Sequence, residues 1–116
     1  QELQDVFNAH GGEMPQTWGV PLEEIERGIK YGVRKVNIDT DCRLAMLGVI
    51  RKIANENKAE FDPRKFLKPA MDAMEGLCAD RFERFGTAGN AARIRPLSLS
   101  VMASRSASGD LDPSTG

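Results

Sequence analysis

The chain has 116 residues, enough for one small domain with a modest core. It is 41% hydrophobic and 28% charged, with a formal net charge of −1, so no electrostatic excess points to DNA, RNA or an anionic membrane as partner. No apolar run approaches a membrane span and no signal-peptide pattern opens the sequence, which makes the expected compartment cytoplasmic.

Residues 1–10 read as the end of a helix, with Leu3, Val6 and Phe7 on one side, and Gly11-Gly12 stops it. A loop with Pro15 and Trp18 follows. Pro21 then suits the first turn of a helix whose acidic start, Glu23-Glu24, complements the helix dipole. Leu22, Ile25, Ile29 and Tyr31 give that helix an apolar stripe, and Gly32 ends it. Residues 33–38 have strand character and are the one convincing strand in the sequence, so the pattern is one αβα unit of a repeating α/β architecture. A lone strand has no partners for its backbone groups. Together with an opening residue that is Gln1 rather than Met, this favours a piece of a larger protein.

Asp41 is the expected N-cap of the next helix, from Cys42 to about Ala54, with Leu44, Leu47, Ile50 and Ala54 at helical spacing. After a polar connection, Asp62-Pro63 starts another helix by the cap-then-proline signal. Its Phe66, Leu67, Met71, Met74, Leu77, Cys78 and Phe82 are core material, and Pro69 and Gly76 are places for a bend. From Gly86 the composition shifts to Gly, Ala and Ser. Ile94, Pro96 and Leu97 are expected to dock this extension, and the chain from about Ala103 reads as a weakly ordered tail. The expected division is therefore 1–85 for the α/β unit with its helices and 86–116 for the extension and its partly disordered tail.

Cys42 and Cys78 stand in no ligand pattern and read as reduced core thiols. Cys42 falls at a predicted helix N-terminus, where a thiol pKa can be lowered, but no histidine is near it in sequence. His10 has no second His or Cys at ligand spacing and is read as structural, not as a metal ligand.

The chemistry-bearing stretch is Arg34-Lys-Val-Asn-Ile-Asp-Thr-Asp41. A strand that delivers Asn37, Asp39 and Thr40 to the start of a helix aims backbone N–H groups and side-chain donors at one point, a way to hold phosphate. Two carboxylates in the same stretch oppose that. At an effective dielectric of about 20, a carboxylate ~4 Å from a phosphate charge costs roughly 4 kcal/mol. A helix N-terminus returns only about 0.3–1 kcal/mol, up to ~2 when partly buried. Phosphate binding therefore requires Asp39 to be occupied by hydroxyls, protein donors or a cation, and Asp41 to be occupied as a cap. The bland reading, in which both aspartates only cap the helix, stays open on these residues alone.

Beyond that stretch, the run from Gly19-Val-Pro-Leu-Glu-Glu-Ile-Glu through Val36-Asn-Ile-Asp-Thr-Asp41 resembles the C-terminal third of class II, metal-dependent fructose-bisphosphate aldolases. Phe61-Asp-Pro-Arg-Lys-Phe66, Asp80-Arg-Phe-Glu-Arg-Phe-Gly-Thr-Ala-Gly-Asn90 and Gly109-Asp-Leu-Asp-Pro113 are similar to the subtype found in Calvin-cycle and many other bacterial enzymes. The resemblance implies the C-terminal portion of a TIM (β/α)₈ barrel, its last strand plus flanking and C-terminal helices, mostly helical as an isolated piece. It implies reversible cleavage of fructose 1,6-bisphosphate to dihydroxyacetone phosphate and glyceraldehyde 3-phosphate, with Zn²⁺ as the Lewis acid. Asn37, Ile38, Asp39 and Thr40 would bind dihydroxyacetone phosphate, Asn37 at the reacting triose and Thr40 at the phosphate. A monovalent cation would lie beside that phosphate. Arg81 would contact the other phosphate across a homodimer.

The resemblance places the metal ligands and acid/base carboxylate upstream of Gln1, so the piece alone is expected to be inactive. Two alternatives accompany it. One is a related aldolase acting on tagatose 1,6-bisphosphate. The other is a non-catalytic helical interaction domain whose Asp41 merely caps a helix; it predicts that residues 33–38 lie at an edge or form no strand, and a helix there would favour it.

Overall fold

A computed structural model describes residues 1–109. Five α-helices follow one another: α1 (Glu2–Ala9), α2 (Leu22–Lys30), α3 (Thr40–Glu56), α4 (Pro63–Arg84) and α5 (Leu99–Ser108), with a single 3-10 turn at Ala91–Arg93 before the last. No strand forms among the described residues. Residues 33–38, expected as a strand, are neither strand nor helix. The physical reason is that a strand is completed by hydrogen bonds to a neighbouring segment, and no described segment lies alongside to accept them.

The packed part is α1 on α3 and α3 on α4. Small residues make these approaches. Ala45 and Gly48 of α3 and Ala70 of α4 are the buried small residues, while Leu47, expected on the core face, is 47% exposed. A Cβ at Gly48 would meet Val6 Cγ1 of α1 at 3.4 Å, so glycine sets how closely α1 rides on α3.

Polar contacts then fix the first loop. Buried Gln4 donates through Nε2 to the carbonyls of Met14 (3.3 Å) and Pro15 (2.6 Å). Asn8 donates to Met14 O at 3.0 Å and accepts from Met14 N at 2.8 Å. Arg51 donates to Gly11 O at 2.7 Å and lies over the Phe7 ring, 4.3 Å from its centroid. The Gly11-Gly12 stop works as expected: Gly11 takes φ +84, which glycine adopts at no steric cost.

Helix α4 opens as its sequence suggests. Asp62 accepts from Arg64 N and Pro63 occupies the first turn. The helix runs on through Pro69 for 22 residues. At its far end Arg84 reaches Glu26 (2.5 Å) and Glu23 (3.2 Å) of α2, tying that helix to the body.

The extension departs from expectation. Ile94 is 75% exposed and Leu97 is exposed too, so neither docks on the described residues. The stretch expected to be weakly ordered from Ala103 is helical to Ser108, because Ser98 caps the start of α5 by accepting from Val101 N and Gly109 closes it at φ +80. The rest of the expected tail lies outside the described residues.

The radius of gyration is 19.6 Å, against about 13 Å for a compact chain of this length. The accessible surface is 9266 Å², against roughly 6,300 Å² for a compact monomer of this mass. Trp18, Phe61, Tyr31 and Leu99 stand almost fully exposed. No described helix is long and apolar enough to cross a membrane.

Candidate functional site

The residues of interest gather where 37–39 enter α3. Asp39, not Asp41, is the N-cap, and its carbonyl accepts from Arg43 N at 3.1 Å. The helix starts at Thr40, two residues earlier than expected, since Thr40 and Asp41 both take helical geometry once Asp39 supplies the first carbonyl. No side chain caps this start. Among the described residues, the amides of Thr40, Asp41 and Cys42 have no protein acceptor. Three convergent donors are therefore open, with exposed Thr40 supplying a hydroxyl beside them.

Both carboxylates at this corner are already engaged by arginine. Asp39 Oδ1 accepts from Arg43 Nε at 2.8 Å, an i,i+4 pair on the surface. Asp41 Oδ2 accepts from Arg81 Nη2 at 3.1 Å across from α4. Arg81 also pairs with its neighbour Asp80, its side chain is only 12% exposed, and its Nε has no partner. The charge cost that argued against an anion is thus offset within the chain, by two guanidiniums rather than by a cap. Arg81 is turned inward to its own chain in this arrangement.

Asn37 is exposed, and its Oδ1 accepts from Lys35 Nζ at 2.7 Å. With the carbonyl end occupied, the Nδ2 end is left to donate. Ile38 is half-buried and helps line a cavity of about 160 Å³ with Cys42, Leu77, Cys78, Arg81 and Phe82. That cavity lies directly behind the open amides.

Cys42 does not have the lowered pKa that a helix N-terminus can confer. Burial pushes its thiol up, followed by the charge and hydrogen bond of Cys78 and the charges of Asp41 and Asp39. His10 Nδ1 lies 3.4 Å from Asn55 Nδ2, in hydrogen-bond range of an amide and of no metal-ligand group. No group of three or more His, Cys, Asp or Glu side chains able to hold a metal occurs among the described residues, so the residues present do not fit a zinc site.

Asn37, Ile38, Asp39 and Thr40, the residues singled out from the sequence, lie at the start of α3. Sequence reasoning missed that Arg43 and Arg81 neutralise the corner. The Asp39–Arg43 pair was legible from its i,i+4 spacing. The Asp41–Arg81 pair spans 40 residues and had no local signal.

Comparison with known proteins adds the following. The family model described as "Fructose-bisphosphate aldolase class-II" matches residues 6–90. A fructose-bisphosphate aldolase 2 of Cereibacter sphaeroides is 67% identical over 115 residues, covering 99% of this chain and 32% of that protein. A fructose-bisphosphate aldolase of Sinorhizobium medicae is 66% identical over 97% of this chain and 32% of its own length. A sequence named fructose-bisphosphate aldolase 2 from Rhodobacter capsulatus is 66% identical, covering 97% of this chain and 99% of that sequence. The chain thus spans about a third of the length of most of these curated relatives.

Proposed function

The chain belongs to the class-II fructose-bisphosphate aldolase family, and from that membership we propose that it supplies the triose-phosphate half of an aldolase active site. The reaction would be reversible cleavage of fructose 1,6-bisphosphate to dihydroxyacetone phosphate and glyceraldehyde 3-phosphate. The observation that carries the reading is the open start of α3, where three amides and Thr40 converge beside two neutralised carboxylates. Residues 33–38 would be the last strand of a (β/α)₈ barrel, and the site would then lie at the C-terminal strand face, where such barrels hold phosphate.

Each residue has a role within that frame. The amides of Thr40, Asp41 and Cys42 and the Thr40 hydroxyl donate to the phosphate oxygens. Asn37 Nδ2 donates to the oxygen of the reacting triose, its orientation held by Lys35. Ile38 closes the apolar side, and Asp39 keeps one carboxylate oxygen for a triose hydroxyl or a monovalent cation. The family's zinc would be held by residues from the rest of a longer protein and would supply Lewis-acid chemistry there. Arg81 neutralises Asp41 in this arrangement, and its reach to the second phosphate in a homodimer would require that pair to open.

The exposed Trp18, Phe61 and Tyr31 suit coverage by the remainder of such an enzyme and by a second subunit. Fructose rather than tagatose bisphosphate is favoured by the relatives' names. The lack of a strand over residues 33–38 suits the helical interaction domain too, and the family match is what favours the aldolase reading.

The test is the double variant N37A/T40A in the full-length enzyme. One hydrogen bond to the charged phosphate, worth about 1.5–3 kcal/mol, and one to a triose oxygen, worth about 0.5–1.5 kcal/mol, are removed. Affinity for dihydroxyacetone phosphate should fall by at least about thirtyfold with the fold intact by circular dichroism. Unchanged affinity would remove this corner from the active site.

A further inference from the structure

Cys42 and Cys78 lie 36 residues apart in sequence, yet the fold brings them to one cavity. Cys42 is in the first turn of α3 and Cys78 is near the end of α4, and these two helices pack against each other. Both are free thiols, half-buried, and both line the cavity of about 160 Å³ behind the α3 start. The proposed aldolase chemistry uses neither sulfur. The pair is half-buried, not sealed, so a small oxidant can enter.

We infer that Cys42 and Cys78 form an oxidant-sensitive dithiol that closes to an intrachain disulfide on exposure to a peroxide. One thiolate attacks a peroxide oxygen, the O–O bond breaks, and a sulfenic acid forms as the first water leaves. The second thiol then attacks the sulfenic sulfur, forming the S–S bond, and its proton leaves with the displaced hydroxide as a second water. Two electrons pass from the sulfurs to the peroxide. The product pins the first turn of α3 to α4, two residues from Thr40. The first step needs a thiolate, so closure speeds up on going alkaline.

The experiment uses the intact protein, treated with hydrogen peroxide, blocked with iodoacetamide and digested with trypsin without reduction. Peptide 36–43 should appear joined to peptide 66–81, two hydrogens lighter than the separate pair, and should disappear on treatment with dithiothreitol. Either C42S or C78S should abolish the joined species. Its rate of formation should rise about tenfold per pH unit below the thiol pKa. Recovery of the two cysteines alkylated, singly over-oxidised, or joined to other cysteines or other chains would overturn the inference. So would a rate that does not change with pH.

Discussion

Two helices of this chain begin after an aspartate, and they begin differently. At α4 the Asp62 side chain folds back onto Arg64 N and clasps the Arg64 guanidinium, so the helix start is closed by its own residues. At α3 Asp39 gives its carbonyl to the helix but its carboxylate to Arg43, and the first three amides stay open. The difference is where the carboxylate goes. A capped start is finished structure, whereas an uncapped one whose nearby acids are neutralised has donors left for a ligand. The contrast separates an anion site from a mere helix end more sharply than the identity of the residue before the helix does.

The contrast breaks most directly at Arg81. In the full-length enzyme, Arg81→Ala leaves Asp41 uncompensated beside the open amides. Affinity for dihydroxyacetone phosphate should drop by up to about a thousandfold, the equivalent of the roughly 4 kcal/mol that an uncompensated carboxylate ~4 Å from a phosphate costs. Adding Asp41→Asn should restore most of it. If instead Arg81→Ala spares that affinity and raises KM only for the bisphosphate, Arg81 serves the second phosphate and not Asp41.

A smaller effect tests whether the packed half of the molecule holds the corner in place. Gly12 lies against Phe7, and a Cβ there would come within 2.6 Å of the Phe7 carbonyl oxygen, which is backbone and cannot swing aside. Gly12→Ala should cost about 1–3 kcal/mol by overpacking, read as a lower midpoint in denaturant. An unchanged midpoint would mean that α1 and its loop bear no strain from that contact.

What the sequence made legible follows the range of the interactions involved. Helix starts and stops are local: Asp62-Pro63, Gly11-Gly12 and Gly32 each act through groups a few residues away, and each behaves as its residue type dictates. Pairings between elements are not local. Residues 33–38 carry strand composition but need a neighbouring strand to become one. Asp41 looked like a cap because its true partner, Arg81, is 40 residues away. The apolar stripe of α3 suggested Leu47 for the core, whereas close helix packing selected Ala45 and Gly48. The candidate corner was legible as a cluster of donors, and the charges that make it usable were not.

The smallest expected effect lies at the closed start. Asp62 has its pKa lowered, first by the side-chain hydrogen bonds from Arg64 and then by the Arg64 amide. A carboxylate whose folded pKa is depressed stabilises the fold above its unfolded pKa and loses that contribution as pH falls through the folded value. The first turn of α4 should therefore fray on acidification below the usual carboxylate range, and Asp62→Ala should show that frayed turn already at neutral pH. Amide hydrogen exchange over residues 64–67 would read it. Triose-phosphate affinity should not move, because Asp62 touches nothing at the α3 corner. A matching loss of affinity in Asp62→Ala would mean that the two helix starts are coupled through α4, and the distinction between a closed end and an open one would no longer divide structure from site.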